Sequence, residues 1–406
     1  MKIKRWLKIF GPGLIVMLAD TDAGCLITAA QSGAQYGYSM ILPQIILIPI
    51  LYMAQEMTVR LGIVTKKGHG ELIREHFGKK WAYLSAITLL ISVIGALITE
   101  FIGIAGVGEL FGISKWITVP FSIILLSLIG LNGSYKRVEH IGIAVGLFEL
   151  VFIIGLFFVH PSSSQMLDGF IKIPINDPNY IYLIAANVGA VIMPWMIFYQ
   201  QGAVIDKQLK PDMIKEEKYD TAIGTFITQA IMIGYIILFA AIVANNNNLI
   251  KLNSVYDLAN GLGYFSGISI AKIIIGLSIA GGAFVAAIVV ALAGTWGITE
   301  VLNVPHSLNH KINHKNLYFY LIYIFVFLVS GIIVLFMQNM VDITIFIEVL
   351  NALMTPIVLG FLLMLENKAL PNKYKMHGSY KWLVIICCLI VMIFGIYMIG
   401  PTLNFW

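Results

Sequence analysis

Charge is scarce in this sequence. Asp, Glu, Lys and Arg make up 12% of its 406 residues, against 59% hydrophobic, and the mean hydropathy is +0.88. A soluble globular domain carries about 25% charged residues, so an ordinary water-facing surface is excluded. Cysteine is nearly missing too: Cys25, Cys387 and Cys388 are all there is. The last two are adjacent inside an apolar run and no CxxC spacing exists, so no disulfide framework is expected. No histidine falls in the middle of an apolar run, which denies a membrane enzyme the ligands that a bound metal would need. The chain is therefore expected to be no enzyme and to carry no cofactor. Linkers and low-complexity tails are absent as well. The formal charge of +5 sits in short loops that face a membrane surface, and nucleic acid is not an expected partner. Lys2, Lys4, Arg5 and Lys8 precede an apolar run without a cleavage site, so this start does not read as a signal peptide.

What is present is a series of apolar segments of spanning length, at about 11–33, 38–62, 81–111, 116–132, 138–159, 180–205, 219–244, 267–301, 316–337, 342–365 and 382–402. The expected fold is an all-α integral membrane protein of about eleven transmembrane helices, forming a single domain over 1–406. Several segments exceed 25 residues, which implies tilt or breaks. Pro43, Pro120 and Pro194 are expected to mark kinks or interruptions. The stretches 160–179 and 245–266 read as polar, turn-rich loops. With the N-terminus cytoplasmic, 22 of the 26 basic residues fall on the inside; Lys115, Lys172, Lys251 and Lys272 do not. The bias predicts a cell-membrane protein with an external C-terminus.

The stretch Ala19-Asp20-Thr21-Asp22-Ala23-Gly24-Cys25 interrupts the first segment with two carboxylates and a thiol. Carboxylates at bilayer depth cost several kcal/mol and usually line a pathway. Gly24 is the local helix breaker, and interrupted helices survive at mid-membrane only against protein or a wet cavity. Five segments later, Met193-Pro194 interrupts the sixth. Corresponding breaks in two halves point to an inverted-repeat transporter with its site between the repeats. Asp22 is read as a cation ligand, and Asp20 as a group behind it or linked to protons. Cys25 and Met193 each flank a break, where carbonyls of Ala19, Thr21 or Ala190 come free. Carboxylate, carbonyls and sulfur together favour a transition metal over Mg²⁺ or Ca²⁺, which prefer oxygen.

From Gly11-Pro12-Gly13 through Asp22-Ala23-Gly24-Cys25 to Gly33-Ala34-Gln35-Tyr36-Gly37-Tyr38, the chain resembles the first helix of the Nramp family of divalent-metal transporters. The likeness continues through Arg60-Leu61-Gly62-Ile63-Val64-Thr65, Glu71-Leu72-Ile73-Arg74-Glu75, Glu100-Phe101-Ile102-Gly103 and Gly189-Ala190-Val191-Ile192-Met193-Pro194. The resemblance implies an inverted five-plus-five helix repeat (LeuT-like) plus one extra helix: repeat one about 11–159, repeat two about 180–365, extra helix about 382–402. It implies a metal held by Asp22, Cys25, the carbonyl of Ala190 and the sulfur of Met193, with Asp20 and Glu100 outside that set or linked to protons. The implied activity is import of Mn²⁺ or Fe²⁺ by alternating access, with protons as co-substrate in typical members. The chain departs from the pattern at six positions, Ala23 and Cys25 among them. The family's Asp-Pro-Gly-Asn is Asp22-Ala23-Gly24-Cys25, its two helix-six histidines are Trp195 and Gln200, an acid is Leu97, and a tyrosine is Asp20. The histidines and the acid belong to the proton route of typical members. The alternative is a Mg²⁺ transporter of the same fold, taking a partly hydrated ion through Asp20 and Asp22 without proton coupling; sulfur at Cys25 and Met193 speaks against it.

Of the remaining polar residues, Glu56 and Arg60 have the spacing of an (i, i+4) ion pair. Glu100, Glu149, Glu300 and Glu348 are candidates for proton carriers or cavity lining, and Gln200 and Asn351 for cavity lining. His306, His310 and His314 are spaced for one helix face, but Lys311 and Lys315 between them favour a solvated loop over a metal site.

Overall fold

A backbone in hydrocarbon must satisfy its own polar groups, and a single apolar run does so only as a helix. The computed structural model describes residues 11–131, 134–245, 252–305, 307–309, 314 and 316–402, and among them every regular element is helical. The first apolar segment folds as two helices, α1 (Pro12–Asp20) and α2 (Ala23–Tyr36). They are followed by α3 (Ile41–Thr65), the short α4 (His69–Phe77), α5 (Lys79–Leu110) and α6 (Lys115–Leu131). A 3-10 turn over Leu147–Phe152 joins α7 (Tyr135–Gly146) to α8 (Ile153–Val159). Beyond the surface helix α9 (Ser163–Ile171) comes a second interrupted pair, α10 (Pro178–Val191) and α11 (Pro194–Asp206). The remainder is α12 (Ile214–Asn245), α13 (Val255–Ser266), α14 (Ile268–Leu302), α15 (Leu317–Phe336), α16 (Met340–Ala369), α17 (Gly378–Tyr397) and a last turn, α18 (Ile399–Thr402).

Nine described stretches are helical, long and apolar enough to cross a membrane. That number counts Ala23–Thr65 as one stretch of 43 residues and leaves out the 17-residue α6. With these two resolved, each of the eleven apolar segments has its helix or helix pair.

The prolines behave differently from one another. Pro194 interrupts its segment as expected and starts α11. Pro43 does not interrupt: it lies in the first turn of α3, where its missing N–H has no helical partner to lose. Pro49 and Pro120 lie inside continuous helices. The two expected loops hold helices. Ser162 caps α9 by accepting from the Gln165 amide, and none of that helix is buried. In α13, Val255, Leu258 and Leu262 form a buried stripe against α14 and α5. A stripe at i, i+3 and i+7 is helical spacing.

Packing centres on the interrupted pairs. α12 runs along both α1 and α2, and α14 along α5 and α1. α10 packs on α16, with Gly189 so close that a Cβ there would sit 1.8 Å from the Glu348 carbonyl oxygen. α11 packs on α3 and α14, while α17 lies outside, against α16 and α3. The face of α17 turned away from the bundle exposes Trp382, Leu383, Ile386 and Ile390.

One end of the bundle gathers the basic residues. The predicted Glu56–Arg60 pair is there, at 2.7 Å, and Arg60 reaches Glu366 at 2.9 Å and the Tyr374 carbonyl at 2.7 Å. Lys218 also pairs with Glu56. Glu300 accepts from the Gly70 amide at 2.9 Å, tying α14 to α4 at this end and away from the helix breaks. His306 and His310 lie outside the described residues; His314 is exposed.

Candidate metal centre

The first break begins with a capping choice. Asp22 leaves helical geometry at φ −68°, ψ 175° and caps α2 by accepting from the Cys25 amide at 2.7 Å. An N-cap carboxylate satisfies one of the orphan amides of a helix start. A second orphan, the Ala23 amide, donates to Glu100 Oε2 at 3.1 Å. In an unbroken helix that amide would have bonded to the Ala19 carbonyl, so the break frees the carbonyl. Gly24 is needed for close approach: a Cβ there would sit 2.4 Å from Glu348 Oε1 and 2.9 Å from Thr99 Oγ1.

The second break follows from one residue. The Ala190 carbonyl would bond to the amide four residues on, and that residue is Pro194, which has none. Met193, in extended geometry, precedes the new helix start. The freed Ala190 carbonyl instead accepts from Cys25 Sγ at 3.1 Å. This contact joins the two breaks across 165 residues of sequence.

Asp22, Cys25, Ala190 and Met193 are all 0–1% exposed. Among the described residues Asp22 Oδ2 has no hydrogen-bond partner. The Met193 sulfur accepts from Trp195 Nε1 at 3.1 Å, so the tryptophan at the family's histidine position is an anchor for the thioether. Gln200, at the second such position, donates to Thr221 Oγ1 at 3.1 Å. Leu97 is fully buried in the apolar core.

Other carboxyl groups surround the set. Glu348 Oε2 accepts from Asn351 Nδ2 at 3.1 Å, while Oε1, against Gly24, has no hydrogen-bond partner among the described residues. Glu149 accepts from the Thr21 hydroxyl within the break itself. Asp20 is buried, and neither of its oxygens has a hydrogen-bond partner among the described residues. No basic side chain pairs with Asp20, Asp22, Glu100, Glu149 or Glu348 among the described residues. Buried carboxyl groups without cations are costly as anions, so the region is suited to a bound cation or to protons. Among the described residues no three His, Cys, Asp or Glu side chains are grouped to hold a metal.

Polar contacts tie helices together at both ends of the bundle. At the basic end, Asp220 Oδ2 accepts from the amides of Gly11, Gly13 and Leu14 at 3.1, 2.8 and 3.3 Å, holding the start of α1, and Lys207 pairs with Glu139 at 2.7 Å. At the opposite end, Tyr36 donates to Asp177 at 2.8 Å, and Asn187 links Gln44 at 2.6 Å and Ser32 at 2.7 Å. Sequence reasoning passed over Asp220, whose partners lie more than 200 residues away.

Two interrupted helices facing each other in an all-helical membrane bundle define a class of fold found among solved transporters. The chain resembles an Eremococcus coleocola manganese transporter, solved with an aromatic bis-isothiourea substituted compound, with TM-score 0.83 and 16% identity over 99% of this chain and 88% of that one. It also resembles a Na⁺-coupled sialic acid symporter, with TM-score 0.64 and 16% identity over 95% and 88%. The natural resistance-associated macrophage protein-like family matches residues 13–400, and the chain belongs to that family, Nramp. Curated relatives include the divalent metal cation transporter MntH of Staphylococcus haemolyticus, 28% identical over 275 residues, and that of Vibrio campbellii, 26% identical over 265. The matched part spans 61% and 62% of those two relatives and 64% and 63% of this chain.

Proposed function

We propose that the chain is a secondary transporter that imports divalent transition-metal ions of the Mn²⁺/Fe²⁺ class by alternating access. The metal is substrate, held by Asp22, Cys25, the Ala190 carbonyl and Met193, with Asp20 and Glu100 behind them. The observation that carries this reading is the 3.1 Å contact of Cys25 Sγ with the Ala190 carbonyl, which sets donors from both breaks side by side. Replacing that S–H···O contact by a metal shared between the two atoms needs only loss of the thiol proton. Sulfur from Cys25 and Met193 favours softer cations over Mg²⁺. The names of the relatives, divalent metal cation transporters, support the same substrate class.

In this reading the chain is one domain of two repeats, about 11–159 and 180–365, with an extra helix at about 382–402. It lies in the cell membrane with its basic end and N-terminus cytoplasmic and its C-terminus external. Opening inward requires release of Asp220 from α1 and of Lys207 from Glu139. Opening outward requires parting of the Tyr36–Asp177 and Asn187 contacts. Asp20 and Glu100 are the proton-linked candidates, since Trp195, Gln200 and Leu97 offer no titrating group.

Asp20 supports a second reading, Mg²⁺ import without proton coupling, because two buried oxygens without partners next to Asp22 could hold a hydrated ion. Uptake into proteoliposomes of Mn²⁺, Fe²⁺, Zn²⁺, Cd²⁺ and Mg²⁺, each competed by the others, separates the two. The transition-metal reading expects Mn²⁺ or Cd²⁺ to be carried and Mg²⁺ to compete weakly. Preferential Mg²⁺ uptake would hand the case to the second reading. A pH-sensitive dye inside the same vesicles reads proton movement.

A further inference from the structure

Away from the helix breaks, the basic end holds a cavity of about 470 Å³ between α3, the start of α12 and the segment entering α17. Its deepest cations are already neutralised: Arg60 bridges Glu56 and Glu366, and Lys218 pairs with Glu56. Lys215, Lys373 and Lys375 also line it, and among the described residues none of them is paired with a carboxylate. The Lys373 ammonium lies over the Tyr374 ring, 5.4 Å from its centre. Beyond the carboxylates that hold Arg60 and Lys218, the wall contributes one acid, Asp212. The cavity thus carries a surplus of positive charge.

Its position narrows the ligand. On α12, exposed Tyr219, Ile223 and Phe226 follow Lys215 and Lys218; on α17, exposed Trp382, Leu383 and Ile386 follow Lys381. A basic row beside aromatic and then aliphatic side chains is the pattern of a membrane margin at headgroup level. Lysine ammonium groups bind phosphate as point charges through charge-assisted hydrogen bonds. We propose that this cavity binds a phosphate group, presented by an anionic lipid of the adjoining bilayer or free in solution. The ligand touches α3, α12 and the entry to α17, so it ties the outer helix to the bundle. The inference does not depend on which metal is carried.

The test is native mass spectrometry of the full chain in detergent, titrated with phosphatidylglycerol, and with phosphatidylcholine as the neutral-headgroup control. Wild type should retain phosphatidylglycerol over phosphatidylcholine. The triple variant Lys215→Gln/Lys373→Gln/Lys375→Gln should bind it on the order of a hundredfold more weakly, at about fivefold per lysine. Arginine at the same three positions should keep binding, and Lys79→Gln/Lys80→Gln, an exposed basic pair outside the cavity, should leave it unchanged. If inorganic phosphate displaces the lipid from wild type at millimolar concentration, the site takes phosphate from solution as well, and the proposal stands. It is overturned if the triple Gln variant binds like wild type, if phosphatidylcholine is held equally, or if the Lys79/Lys80 pair weakens binding as much. Thermal melting checks that each variant is folded, and the pair Lys215→Gln/Lys375→Gln serves if the triple is not.

Discussion

Replacing Met193 by leucine removes one sulfur and little else. The side chain is 1% exposed, and its sulfur accepts from Trp195 Nε1 at 3.1 Å. Alanine at this position would be a poor test, because truncating a buried methionine costs about 2–5 kcal/mol in cavity and transfer terms. Leucine conserves volume, and such exchanges cost less than about 1.5 kcal/mol. What remains is the tryptophan N–H, left buried without an acceptor, at about 1–3 kcal/mol. The variant should therefore fold, with a melting temperature a few degrees lower. Its metal preference should change much more. Loss of the thioether removes the donor that distinguishes soft from hard cations, so Cd²⁺ uptake in proteoliposomes should fall at least tenfold relative to Mn²⁺, and competition by Mg²⁺ should strengthen. A tenfold change corresponds to about 1.4 kcal/mol. An unchanged ranking of Cd²⁺, Mn²⁺ and Mg²⁺ in folded Met193→Leu protein would refute the placing of this sulfur at the metal.

Asp220→Asn weakens the hold on the first turn of α1, where the carboxylate accepts from three amides. Loss of its charge at a helix start should cost about 1–2 kcal/mol and favour the state open at the basic end. The expected readout is faster labelling of Cys25 by a thiol reagent applied from that side; labelling at the wild-type rate would count against the latch. His69 offers a pH test outside the membrane spans. Its ring donates to Gln201 Oε1 at 3.2 Å, and burial pushes its pKa down to about 4. The folded state then binds fewer protons than the unfolded state, whose histidine titrates near 6.5. Stability is fully present above pH 6.5 and is lost as pH falls towards about 4, by up to roughly 3 kcal/mol. Melting curves from pH 7.5 to 4.5 should show this loss in wild type and a shallower one in His69→Gln; identical slopes would remove His69 as the cause.

The eleven spans were legible because each is a long apolar run, and both breaks were legible because Asp22 and Pro194 are poor residues for a helix interior; Gly24, expected to be the breaker, lies inside the first turn of α2, and the chain leaves the helix at Thr21 and Asp22 instead. Helical spacing in α13 was hidden by its polar neighbours, so a packed helix read as loop. Pro43 misled for a positional reason: proline breaks a helix only beyond the first turn, and the start of α3 was not visible in the sequence. Glu348 was a candidate by residue type alone; its place beside Gly24 depends on how α16 crosses α2. The Asp220 latch, the Trp195–Met193 contact and the Glu366 arm of the Arg60 network are tertiary pairings, and no local pattern announces them. The first and last span more than 200 residues, whereas Trp195 and Met193 are close in sequence and need the Pro194 break to face each other.

Manganese uptake by the Asp22→Asn variant in proteoliposomes, at matched protein density and with folding checked by melting, bears most directly on the central claim. Asparagine keeps the cap on the Cys25 amide but removes the charge of the unpartnered Asp22 Oδ2. The expected result is uptake at the level of empty vesicles from a folded protein. Uptake at the wild-type rate would contradict a metal site built on Asp22.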